Sequence, residues 1–139
     1  MIFLSASQRA QILTAAERAY PDECCGLLVG REGEDGRLIV SRVVESENVH
    51  PDRTRDRFEV DPRIRIALER ELRAAPERIV GHYHSHPDHP AQPSATDLEL
   101  AFEPSLVWLI VGVADGRADR INAFCIDEAR GAFVAIEMV

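Results

Sequence analysis

The chain has 139 residues, 45% apolar and 29% charged, with a formal net charge of −8. That length fits one domain, spanning residues 1–139, with its own hydrophobic core, and the acidic balance argues against nucleic acid, whose binders carry basic patches. No run reaches the roughly 18–20 apolar residues of a membrane span. The opening Met1-Ile2-Phe3-Leu4-Ser5 is too short for a signal peptide and lacks its basic segment, so a cytoplasmic protein with no membrane partner is expected.

The elements follow in chain order. Ser5 or Ser7 caps a helix running to about Tyr20, with Ile12, Leu13, Ala16 and Tyr20 as its apolar stripe. Pro21-Asp22 ends it. Glu23 to Gly30 is short, apolar and bounded by glycine, as a buried strand is. Leu38 to Val44, beyond a charged and glycine-containing turn, is its β-branched hairpin partner. Asn48 to Arg57 is a polar loop, followed by a short strand at Phe58-Glu59-Val60. Asp61 with Pro62 at the first helical position opens a second helix that stops near Pro76. Ile79-Val80-Gly81 begins a strand that ends in histidines at His86. Pro87 to Pro93 holds three prolines and is a loop. Ser94 starts another helix to about Phe102; Leu106 to Val113 is a central strand, and Ile121–Ile126 and Ala132–Met138 complete the sheet. The order predicts an α/β fold, a mixed sheet flanked by helices.

Three cysteines, Cys24, Cys25 and Cys125, are too few and too oddly spaced for a disulfide framework, and no CxxC pair is present. They are read as reduced, small, buried residues. Cys25 shares a strand face with Glu23. Arg53, Arg55 and Arg57 form a small basic cluster in an acidic chain. The plain reading is a solvated loop; the sharper one is a contact for a substrate carboxylate.

The chemistry concentrates at His84-Ser85-His86. Two histidines two apart on a strand put both imidazoles on one face, and neutral imidazole is a good zinc ligand. A catalytic zinc takes three protein ligands and leaves one position open. Asp97 is the nearest sensible third ligand, because the proline loop turns the chain back towards the strand end. Ser94, three residues before Asp97, reads as a helix cap whose hydroxyl can also donate to an oxyanion. A metal-activated water also needs a proton acceptor that later protonates the leaving amine, and a carboxylate suits both jobs. Glu23 stands out by its position at the head of an apolar strand; alone it reads as a solvated strand-end carboxylate. His82 continues the alternation as a packed core histidine, and His89 sits in the proline loop. Trp108 reads as core.

Taken together, Glu23, then His84-Ser85-His86, then a seven-residue gap that opens on Pro87, then Ser94-Ala95-Thr96-Asp97, resemble the JAMM (MPN+, Mov34/MPN/PAD-1) zinc metallopeptidases. Glu23-Cys24-Cys25-Gly26-Leu27-Leu28-Val29-Gly30, Val80-Gly81-His82-Tyr83, and Asn48, Phe58 and Asp61-Pro62 are similar to the small bacterial, CysO-cysteine-peptidase-like members. The resemblance covers most of the chain. It implies a cytidine-deaminase-like fold and one Zn2+ per chain held by His84, His86 and Asp97. It also implies Glu23 as general base and then acid, and Ser94 as oxyanion donor. The substrate it implies is an amide at the C-terminal Gly-Gly of a ubiquitin-like sulfur-carrier protein, with cysteine or another residue released. His82 departs from the pattern, standing where relatives often carry an aromatic or apolar residue. The main alternative is a non-catalytic MPN scaffold, which would lack the ligands present here. A zinc deaminase would need a PCxxC motif, which is absent. A DNA-repair-associated relative fits poorly with the negative charge.

Overall fold

A computed structural model describes residues 1–51, 57–99, 101 and 103–139. Among these residues the strands are β1 (Ile2–Phe3), β2 (Cys25–Glu32), β3 (Leu38–Ser46), β4 (Arg78–Pro87), β5 (Val107–Ala114), β6 (Arg117–Asp127) and β7 (Ala132–Ile136). The helices are α1 (Ala6–Ala19), α2 (Pro62–Glu71) and α3 (Ala95–Glu99). One sheet runs in the order β1-β3-β2-β4-β5-β6-β7. It is mixed: β1–β3 and β4–β5 are parallel, and the other neighbours are antiparallel. The mixed sheet expected from the element order is therefore present.

The sheet curls until its ends meet. Ile2 N–H donates to the Glu137 carbonyl and Val139 N–H to the Ile2 carbonyl, so the chain's two ends bridge in parallel. β1 was not foreseen from sequence, since two residues carry no periodicity.

Helix α1 covers one face. Ser5 caps it in a full capping box with Gln8, worth about 1 kcal/mol. Ile12 and Ala16 bury against Leu28, Val40, Val80, Leu109 and Val111. Gln8 and Gln11 reach from this helix to the Val40 and Val43 carbonyls, groups on the flank of β3 that β1 does not pair. Helix α2 covers the other face, with Ile64, Leu68 and Leu72 against Leu27, Val29 and Ile79. Asp61 caps it, with Pro62 in its first turn, as the sequence predicts.

Four expectations need correction. Phe58-Glu59-Val60 is no strand; only Val60 bridges to Asn48, because the Glu59 N–H is taken by the Asn48 side chain. The strand expected from Glu23 starts at Cys25, and the third helix ends at Glu99; Phe102, its expected end, lies outside the described residues. β6 begins at Arg117, ahead of Ile121, because Asp115 (φ 51°) and Gly116 (φ 82°) form a two-residue hairpin turn with both residues left-handed.

Strand β4 carries the site. Its register opposes Leu28 to Gly81 but Val29 to Ile79, so Val80 is an inserted residue. The insertion sends Val80 into the α1 core while Ile79 joins the α2 cluster. Beyond it, regular alternation brings His82 and His84 to the α2 side, where both rings pack on Trp108. Gly81 permits this course: a side-chain carbon there would lie 2.4 Å from the Val107 carbonyl oxygen.

Candidate metal centre

The C-terminal end of β4, the residues before β2 and the start of α3 converge at one end of the sheet. His84 is fully buried and His86, Asp97 and Glu23 are nearly so, which is costly for polar groups unless they meet partners. The His84 and His86 Nε2 atoms lie 3.0 Å apart. Asp97 places Oδ2 3.1 Å from His86 Nε2 and Oδ1 3.3 Å from His84 Nε2. Ligands at zinc-like bond lengths of about 2.0–2.1 Å in a tetrahedron stand about 3.3 Å apart, so these spacings match three corners of such a site.

Protonation supports the same fit. His86 Nδ1 is 3.0 Å from the Pro90 carbonyl, which can only accept, so Nδ1 carries the proton and Nε2 presents a lone pair. That lone pair faces a carboxylate oxygen and a second imidazole nitrogen. Such a cluster of electron-rich atoms is stable around a cation or an added proton. Burial pushes the His84 imidazole towards its neutral form, against the pull of Asp97. Burial opposes ionisation of Asp97, while the Ser94 N–H that its Oδ2 accepts favours the carboxylate. Both states are those a metal ligand needs.

Each member is positioned by its own chain segment. Phe58 stacks on the His84 ring at 4.2 Å and 12°, fixing its plane. Ser94 and Asp97 exchange bonds: Ser94 N–H donates to Asp97 Oδ2 at 2.8 Å and Asp97 N–H to Ser94 Oγ at 3.0 Å. The cap read from sequence is thus present, and the Ser94 O–H is left to donate elsewhere. Ser85 points to the opposite face, where its Oγ accepts the Cys24 N–H at 2.8 Å, locking the Glu23-Cys24 segment to β4. A carboxylate oxygen of Glu23 and nitrogens of His84 and His86 lie within 4.8 Å of one another. Glu23 is 2% exposed, so the solvated carboxylate that position alone suggested is not what the fold makes.

The other singled-out residues fall as follows. His82 packs edge-on against Trp108 at 4.3 Å and leaves its buried Nδ1 without a partner among the described residues. It lies with Phe58 on a cavity of about 630 Å³ between α2 and the segment after α3. Trp108 is core. His89 is exposed and, with Gln92 and Thr96, lines a cavity of about 400 Å³ that reaches His86 and Ser94. Cys25 sits opposite His84 on β2; burial pushes its thiol up to about 12, and that of Cys24 to about 11. All three cysteines are free thiols, Cys125 only half-buried. Arg57 is exposed; Arg53 and Arg55 lie outside the described residues. Sequence reasoning missed the joint role of Asn48 and Phe58, whose side chains hold the loop against the site.

Comparison with known proteins gives the same picture. Residues 5–125 match the family model described as prokaryotic homologs of the JAB domain. A desampylase of Haloferax volcanii is 34% identical over 139 residues, covering 96% of this chain and 95% of that protein. A CysO-cysteine peptidase of Mycobacterium tuberculosis is 32% identical over 122 residues, 85% of this chain and 80% of that protein. A solution structure from Desulfitobacterium hafniense superposes with a TM-score of 0.83 at 34% identity, covering 100% of this chain and 92% of that one. A JAB1/MPN domain protein from Archaeoglobus fulgidus shares the fold, with a TM-score of 0.60 at 21% identity over 99% of this chain and 97% of that one.

Proposed function

The chain belongs to the prokaryotic JAB domain family, and from that premise we propose that it is a zinc-dependent peptidase. Its substrate is the amide bond that follows the C-terminal diglycine of a ubiquitin-like sulfur-carrier protein. The observation that carries this reading is the buried set of two imidazole nitrogens and one carboxylate at 3.0–3.3 Å spacing. The relatives whose names specify a peptidase and a desampylase support the substrate class. Three free thiols fit a reducing, cytoplasmic setting.

His84, His86 and Asp97 are the ligands in this proposal. Asp97 is preferred to Glu23 as the third because it meets both imidazoles at coordination spacing. Zinc held there would supply Lewis acidity and make a water nucleophilic near neutral pH. Glu23 takes the proton of the attacking water and returns it to the departing amine. The Ser94 O–H donates to the carbonyl oxygen as negative charge builds on it. The diglycine would lie extended beside the site and add main-chain hydrogen bonds to a strand edge.

The test pairs metal content with cleavage. Purified protein should hold one zinc per chain and release the terminal residue from a carrier ending in Gly-Gly-Cys. Asp97→Ala should lose both. Zinc retained at full stoichiometry in Asp97→Ala would remove it from the ligand set, and a zinc-loaded wild type inert towards every carrier fusion would sink the peptidase reading.

A further inference from the structure

Asn48 spends its whole side-chain amide at the base of the loop that carries Phe58. Its Oδ1 accepts from the His50 N–H at 3.2 Å and the Glu59 N–H at 3.0 Å. Its Nδ2 donates to the Arg57 carbonyl at 3.0 Å and, at a longer 3.4 Å, to the carbonyl of Glu23. Both donors and two acceptor positions of one amide are thus in use. The backbone around it adds a Val49–Glu59 hydrogen bond and the Asn48–Val60 bridge, which close the loop on itself.

These contacts join two parts of the site that are remote in sequence. On one side is Glu23, whose next residue is already pinned to β4 through Ser85. On the other is Phe58, one residue past Arg57 and one before Glu59, stacked on His84. A polar network of this kind fixes geometry because each lost bond leaves a desolvated group behind.

We propose that Asn48 is a positioning residue that sets the Glu23 carboxylate and the Phe58–His84 stack relative to each other. The inference rests on the peptidase reading for Glu23 but stands on contacts of its own. One donor bond reaches Glu23; the other, to Arg57, serves the loop together with the acceptor oxygen. The two halves separate by substitution. Asn48→Asp keeps the acceptor oxygen and loses both donors, whereas Asn48→Ala loses everything.

The chain has one tryptophan, Trp108, and Phe58 meets it edge-on at 6.2 Å, so Trp108 emission reports the loop without any turnover. Zinc-loaded Asn48→Asp, which keeps the bonds to the His50 and Glu59 N–H groups, should keep full metal content and move Trp108 emission less than Asn48→Ala does, while kcat on the carrier falls on the order of tenfold or more, with KM changed far less. Asn48→Ala should lose kcat to at least the same degree and also shift Trp108 emission to the red with faster acrylamide quenching. Unchanged kcat in Asn48→Asp, or a loss confined to KM, would overturn the link to Glu23. Unchanged emission in Asn48→Ala would overturn the loop clamp. If wild type binds zinc but cleaves no carrier, the peptidase reading fails alone, and the emission comparison still decides whether Asn48 holds Phe58.

Discussion

At the residue scale the site is a problem of proton placement. His86 donates its Nδ1–H in a hydrogen bond to the Pro90 carbonyl, and Phe58 fixes the plane of His84. His82, next along the same face, has no such assignment. Burial, with a smaller contribution from His84, pushes its imidazole down to about 3, against about 6.5 in an unfolded chain. The folded value is the lower one, so this contribution to stability is complete above about pH 6.5. It drains away as pH falls towards about 3, because only the unfolded state takes up the proton. In metal-free protein, denaturant melts between pH 6 and pH 4 should therefore lose on the order of 1 kcal/mol per pH unit more in wild type than in His82→Asn. Equal slopes would show that His82 titrates normally. The histidine pair was legible in the sequence because strand alternation puts His84 and His86 on one face, and the fold does bring both imidazoles together. Glu23 was not legible from spacing. What sets it apart is burial beside the histidines, which depends on the pairing of Cys25 with His84 across two strands.

At the scale of elements, β4 does two jobs: it packs both faces of the sheet and delivers the histidines. Its inserted residue Val80 and the side-chain-free Gly81 make this possible. Gly81→Ala should cost about 1–3 kcal/mol or more, read as a lowered melting midpoint, since the new methyl meets rigid backbone at Val107. A neutral effect would mean that β4 and β5 part easily. The helices were readable from their caps and stripes, as Ser5 and Asp61 show. Phe58-Glu59-Val60 misled because its apolar ends suggest a strand, while the side chain of Asn48 takes the N–H that a strand partner would need. The early start of β6 was written in Asp115-Gly116, a turn signal that the polar residues after it obscured.

At the scale of the molecule, a small curled sheet closes on itself through Ile2 and the C-terminal segment. This closure was illegible because its partners sit at opposite ends of the chain and involve only a few residues. Ile2 is fully buried, so Ile2→Ala should cost about 2–5 kcal/mol, measured by denaturant unfolding, and leave zinc content unchanged because the metal centre lies elsewhere on the sheet. Loss of zinc from the folded variant would contradict that separation. The same frame brings β2, β4 and α3 to one end of the sheet, and the proposal assigns a division of labour there, with zinc held by His84, His86 and Asp97 and the proton moved by Glu23. The most direct measurement is zinc content and carrier cleavage of Glu23→Ala beside wild type and His84→Ala. Glu23→Ala should keep one zinc per chain while turnover falls by about 10²–10⁴-fold, and His84→Ala should lose both. Wild-type turnover in zinc-loaded Glu23→Ala would contradict the account.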